Sequence, residues 1–154
     1  MKLLRFQSWL AGVWAGMVIA VGGVAAPSLF TVLEREMAGK GAGRIFTVEA
    51  KLSLAFAILI FVIERRRVRE LVEQGVQASA MTAQLLLVLS ALFLTIFNEF
   101  GLHPLIEAAK AGQPTALSFG ALHGISALLF WTKAVLVGTL AWRLTADRAA
   151  APQA

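Results

Sequence analysis

Apolar positions along this chain fall in long unbroken runs. They do not alternate as in a half-buried strand or form the narrow stripe of a soluble amphipathic helix. Four runs stand out: Ser8 to Leu33, Ile45 to Ile63, Thr82 to Phe100, and Phe119 to Trp142. At about 1.5 Å of rise per residue, such runs suit α-helices crossing a hydrocarbon core of roughly 30 Å. Backbone groups find no water there, so spans are helices or closed barrels, and barrels show alternating segments of about ten residues instead. The expected fold is all-α, a polytopic four-transmembrane-helix bundle. One domain, 1–146, holds the spans 8–33, 45–63, 82–100 and 119–142, and an Ala-rich disordered tail, 147–154, follows.

The connections carry their own signals. Glu34 to Arg44 contains Gly39, Gly41 and Gly43 and predicts a tight turn. After Ile63 the second helix should continue outside the bilayer, because Glu64 with Arg67, Arg66 with Glu70, and Arg69 with Glu73 have helix-surface spacings. Gly75 is a stop signal. His103-Pro104 opens a short helical stretch to Ala111, closed by Gly112 and Pro114. In the first span, Gly12, Gly16, Ala20, Gly23 and Pro27 recur at three or four residues and predict an intramolecular packing face. Pro27 would either kink that helix or end it. A cleaved signal peptide is the rival reading of this run, with Val24-Ala25-Ala26 as the cleavage site. The excessive length of the run and Pro27 directly after the cut speak against it.

Composition agrees with the pattern. Of 154 residues, 58% are hydrophobic and only 15% charged, against about a quarter charged in soluble domains. With no cysteine, disulfides, thiolate metal sites and thiol nucleophiles are excluded. The net charge of +5 sits in short flanks beside the spans, which points to membrane topology and the lipid bilayer as partner, not to nucleic acid. Lys2, Arg5, Arg65, Arg66, Arg67, Arg69, Arg143 and Arg148 fall on one side, and Arg35, Lys40, Arg44 and Lys110 on the other. The richer side is expected to be cytoplasmic, with both termini inside a bacterial inner membrane and Trp9 and Trp142 as anchors near that face.

The candidate chemistry is polar residues where lipid should be. Glu49, Asn98, Glu99 and His123 fall in one layer of the outer half, with His103 just above. Two carboxylates, an amide and an imidazole can bind a metal cation or share a proton, and intramembrane ionisable groups often mark such paths. The equally open alternative is that these residues only hold helices together. On the fourth helix His123, Ser126, Phe130 and Lys133 lie within about 80°, a polar stripe running inward. Lys133 lies near midplane and is expected to find an interior partner or to snorkel. Lys51, about 200° from Glu49, should face outward. No phosphate-binding loop, paired-histidine zinc motif or nucleophile elbow is present, so no enzyme activity is expected.

Phe119-Gly120-Ala121-Leu122-His123-Gly124-Ile125-Ser126 resembles the Phe-Gly-x-x-His-Gly-x-Ser signature of transmembrane-protein-205-like proteins, whose bacterial members form a family of unknown function, number 4149. Ala26-Pro27-Ser28-Leu29-Phe30, the Phe46 region and Asn98 are similar to that group as well. The resemblance implies a four-helix membrane protein without an assigned activity. A looser similarity to haem-associated four-helix proteins meets only His103 and His123 as ligands. Three functions follow as expectations: a cation-binding or cation-conducting protein using a metal ion or proton, a non-catalytic scaffold or assembly subunit, and a haem-linked redox protein. Four short helices enclose little volume, so transport would call for a homo-oligomer.

Overall fold

The computed structural model describes residues 2–150, and every regular element among them is helical. Helix α1 (Lys2–Ala20) passes through a π-helical turn, Val21–Ala25, into α2 (Ala26–Val32). After a two-residue link, α3 runs Arg35–Glu73. Then α4 (Ala83–Ile96) passes through a second π-helical turn, Phe97–Leu102, into α5 (His103–Lys110), and α6 is Phe119–Ala150. Four stretches are long and apolar enough to cross a membrane: Leu3–Val32, Arg35–Glu73, Ala83–Lys110 and Phe119–Asp147.

Helix α1 packs beside α3 and α6, and α4 also packs beside α3 and α6. The four therefore form a ring in which α3 and α6 face each other across the bundle. Its interior is built from small and medium side chains, among them Ala11, Ala57, Ala91, Val88, Val137 and Leu140, around the large Trp14. Its exterior carries Val32, Phe93, Leu128 and Trp142, the last 79% exposed. Large apolar side chains outside and alanines inside is the distribution expected when the surrounding solvent is lipid.

The two prolines inside spans explain the two π-turns. An α-helical proline lacks an N–H and clashes with the carbonyl four residues back. Wider π spacing just before Pro27 and Pro104 relieves that clash. The Ser28 hydroxyl also donates to the Val24 carbonyl at 2.6 Å. The first span thus continues through Pro27 to Val32 and does not end there.

Three sequence expectations need correction. The Gly-rich segment Glu34 to Arg44 is not a turn but the first three turns of α3. Glycine disfavours helix by about 1 kcal/mol relative to alanine, yet Ala38 and Ala42 are buried and a Cβ on Gly41 would press on Leu29 Cδ1 at 3.3 Å. Close packing against α2 overrides propensity there. Secondly, the stripe Gly12, Gly16, Ala20, Gly23 and Pro27 is not an intramolecular packing face; all five are exposed. The buried face of α1 is Gln7, Leu10, Ala11, Trp14 and Val18, where bulk fills the bundle. Thirdly, α6 continues past 146 to Ala150; the rest of the expected tail lies outside the described residues.

The helix stops follow the sequence signals. Gly75 has φ +79°, with Gly75 N–H donating to Val72 O and Val76 N–H to Leu71 O, both at 3.0 Å. This paired pattern satisfies the end carbonyls of α3 and favours glycine. Gly112 (φ +72°) closes α5 the same way.

The glycine that matters inside the bundle is Gly22, in the first π-turn. A Cβ there would overlap the Phe130 ring, which itself packs edge-on to Phe46. Gly22→Ala is expected to cost about 1–3 kcal/mol by overpacking, whereas Gly12→Ala, with nothing within 4 Å of the new carbon, should stabilise by up to about 1 kcal/mol. Thermal unfolding of the two variants in detergent tests this; equal midpoints would refute the close approach.

Candidate functional site: a charge pair across the bundle

Glu49 lies fourteen residues into α3 (35 to 49), and Lys133 fourteen residues into α6 (119 to 133). Both helices run in the same direction, so both residues reach one level, roughly 21 Å from their helix starts. Lys133 Nζ lies 2.8 Å from Glu49 Oε1 and 2.7 Å from Oε2. Glu49 is 3% exposed and Lys133 4%. The lysine stem spans the bundle diagonal, and its ammonium sits 4.9 Å from the Phe130 ring centroid, a favourable face for a cation.

The carboxylate has a second donor. Ser53, one turn further along α3, gives its hydroxyl to Glu49 Oε1. Trp14 on α1 donates its indole N–H to Ser53 Oγ at 2.8 Å. A chain Trp14–Ser53–Glu49–Lys133 therefore links α1, α3 and α6, with every member buried. Such a pair avoids a large desolvation penalty only because both charges are matched and hydrogen-bonded. Glu99 is half-buried in the second π-turn.

A second buried carboxylate, Glu64, lies fifteen residues along α3 from Glu49, roughly 22 Å away. It is fully buried. It accepts from Gln7 Nε2 at 2.8 Å, Arg67 Nε at 3.0 Å, an Arg67 terminal nitrogen at 2.8 Å and Thr82 Oγ1 at 2.7 Å. Thr82 also caps α4 by accepting from the Leu85 N–H at 3.1 Å. Glu64 with Arg67 was expected as a surface pair; it is instead a buried junction of α1, α3 and α4. Nearby, Gln84 Nε2 donates to Asp147 at 2.6 Å and joins α4 to α6.

The proposed cation layer of Glu49, Asn98, Glu99 and His123 is not assembled as expected. Asn98 donates to the Ser126 carbonyl at 3.3 Å. His123 is exposed and stacks on Phe119 one turn before it, with centroids 5.7 Å apart. His103 lies on the surface of α5, 3.8 Å from Glu107. Among the described residues no group of three or more His, Asp or Glu side chains is placed to hold a metal ion. These residues do not share one level: with the Gly-rich start of α3 helical, Glu49 lies opposite Lys133, whereas His123 is ten residues, roughly 15 Å, nearer the start of α6. Of the inward stripe on α6, Ser126 is half-buried and Phe130 and Lys133 are buried. Lys51 is exposed, as its angle from Glu49 requires.

Sequence reasoning missed the Glu49–Lys133 partnership, the Trp14–Ser53 link and the Glu64 junction. Some signal was present: Glu49 and Ser53 are i and i+4, and Gln7 and Trp14 are seven apart on one face of α1.

Fold and site together define a four-span helical membrane protein organised around buried interhelical charge. The chain matches the family model described as a domain of unknown function, DUF4149, over residues 9–115, and it belongs to that family. No curated protein and no solved structure matches it. The matched segment includes Glu49, Ser53 and Glu64 and ends before α6, which supplies Lys133.

Lys133→Met strands the Glu49 carboxylate and is expected to destabilise the bundle by up to about 3–5 kcal/mol. Adding Glu49→Gln should restore most of that loss. Unfolding of the single and double variants in detergent checks this; additive losses would show that the two residues are not coupled. Thr82→Val removes the α4 cap and one Glu64 donor together. A loss of about 1–3 kcal/mol by the same assay is expected.

Proposed function

We propose that this protein is a multi-pass inner-membrane protein that handles a cation within the bilayer, and that the cation is a proton exchanged at the Glu49–Lys133 pair. One observation carries the reading: a carboxylate and an ammonium, both almost fully buried and bonded to each other, deep in a bundle whose surroundings are apolar. Ionisable groups in such places are costly and commonly serve ion or proton paths. Proton transfer from Lys133 Nζ to Glu49 converts the charged pair into an amine and a carboxylic acid across one hydrogen bond. Ser53 and Trp14 hold the carboxylate in place. A metal ion is a weaker form of the same idea, because the ammonium already occupies both Glu49 oxygens. No enzymatic step belongs to this reading. A conducting path through four short helices would call for a homo-oligomer.

The finer family likeness, to transmembrane-protein-205-like proteins, rests on Phe119 to Ser126, outside the matched segment, and stays part of the proposal. So does the orientation with both termini cytoplasmic, supported by eight basic flanking residues against four. A reporter fused after Asp147 should be active only in the cytoplasm.

The second reading is a non-catalytic scaffold. The Glu64 junction favours it, since the same device of a saturated buried carboxylate there joins helices near the membrane edge.

Purified protein in liposomes with an internal pH dye and an imposed potential separates the two. Proton flux above empty liposomes, lost in folded Glu49→Gln/Lys133→Met protein, is the expected result. Flux no greater than in empty liposomes would overturn proton handling and leave the scaffold.

A further inference from the structure

Helices α1 and α3 do not close against each other along their whole length. Between them lies a cleft of about 210 Å³. Met17 and Val21 form one wall, and Ile45, Val48 and Leu52 the other. Val48 and Leu52 are each more than 40% exposed, so the cleft opens sideways into the bilayer. Arg44 stands at its end, at the edge of the apolar run, and Glu49 lies at its floor.

The charge arrangement selects an occupant. Arg44 is exposed and makes no ion pair among the described residues. Lys51, also exposed and without an ion pair there, lies seven residues on, within about 20° on the same helix face. One cation thus stands at the end of an apolar cleft, and a second lies on the same lipid-facing side of α3, roughly 10 Å deeper. Glu49 lines the cleft, but its carboxylate is turned to Lys133 and neutralised there, so it does not oppose an anion at the mouth. The volume lies below the roughly 300–1,000 Å³ of ordinary small-molecule pockets. It suits a segment of one hydrocarbon chain, not a whole ligand.

We propose that this cleft is a binding site for an anionic phospholipid of the surrounding bilayer, with one acyl chain between α1 and α3 and the phosphate headgroup on Arg44, toward which the Lys51 ammonium extends from roughly 10 Å deeper. A basic group beside an apolar groove between transmembrane helices recognises lipid in this way. The chain sits against the Glu49 end of the buried pair, so the lipid also seals the pair from the side. The site stands on the cleft and its cations, and its test does not depend on proton handling.

Native mass spectrometry of the detergent-solubilised full chain, titrated with phosphatidylglycerol or phosphatidylcholine of the same acyl chains, reads the site directly. The expected result is a retained phosphatidylglycerol at several-fold higher occupancy than phosphatidylcholine. Arg44→Gln/Lys51→Gln should remove that preference. Val48→Trp, which fills the cleft from an exposed position, should lower occupancy by either lipid. All three positions are exposed, and an unchanged helical circular dichroism spectrum and gel-filtration profile would establish that each variant is folded. Equal binding of both lipids by the unmodified chain would overturn the proposal. So would a headgroup preference that survives Arg44→Gln/Lys51→Gln, or occupancy unaffected by Val48→Trp. Displacement of the lipid by millimolar glycerol phosphate would also overturn it, by assigning the site to a free phosphate.

Discussion

A polar side chain inside a bilayer has only other protein groups to meet, and this constraint arranges the whole bundle. The Glu49–Lys133 pair is its strongest expression. Two opposite helices that do not pack side by side are joined by a single long side chain, and the interior must leave room for that chain to cross. Gly22 in the first π-turn supplies part of the room. It admits the Phe130 ring, which packs on Phe46 and lies under the Lys133 ammonium. The proline that forces the π-turn, the glycine within it and the buried charge thus form one mechanical unit.

Polar contacts divide the bundle into levels. At the level of the charge pair, α1, α3 and α6 are tied through Trp14, Ser53, Glu49 and Lys133. Near the basic flank, Glu64 ties α1, α3 and α4, and Gln84 with Asp147 ties α4 to α6. Between the two levels the interior is apolar and rich in alanine. Helix association in lipid gains little from hydrophobicity, so close packing and a few interhelical hydrogen bonds must supply it. The two levels differ in what they leave free. Glu64 is saturated by neutral and cationic donors from three directions. Glu49 accepts from two residues, Lys133 and Ser53.

Much of this was legible along the chain. Run length and charge sparsity specify four spans, because crossing a hydrocarbon layer is a one-dimensional demand on consecutive residues. Gly75 and Gly112 announced helix stops through their need for positive φ. The unusual depth of Lys133 left an interior partner or snorkelling as its two outcomes, and the structure has the former. What the chain by itself could not decide was azimuth. Nor could it decide level: the Gly-rich start of α3 is helical, so Glu49 sits opposite Lys133 and roughly 15 Å along the bundle from His123, which packs on Phe119 near the start of α6. Likewise the small-residue stripe of α1 has ideal spacing for packing, but its bulkier opposite face, with Trp14, fills the interior. Which face of a helix turns inward depends on the volumes and polar groups of all its neighbours at once. Only the assembled tertiary structure settles that, and with it which carboxylate finds the buried lysine.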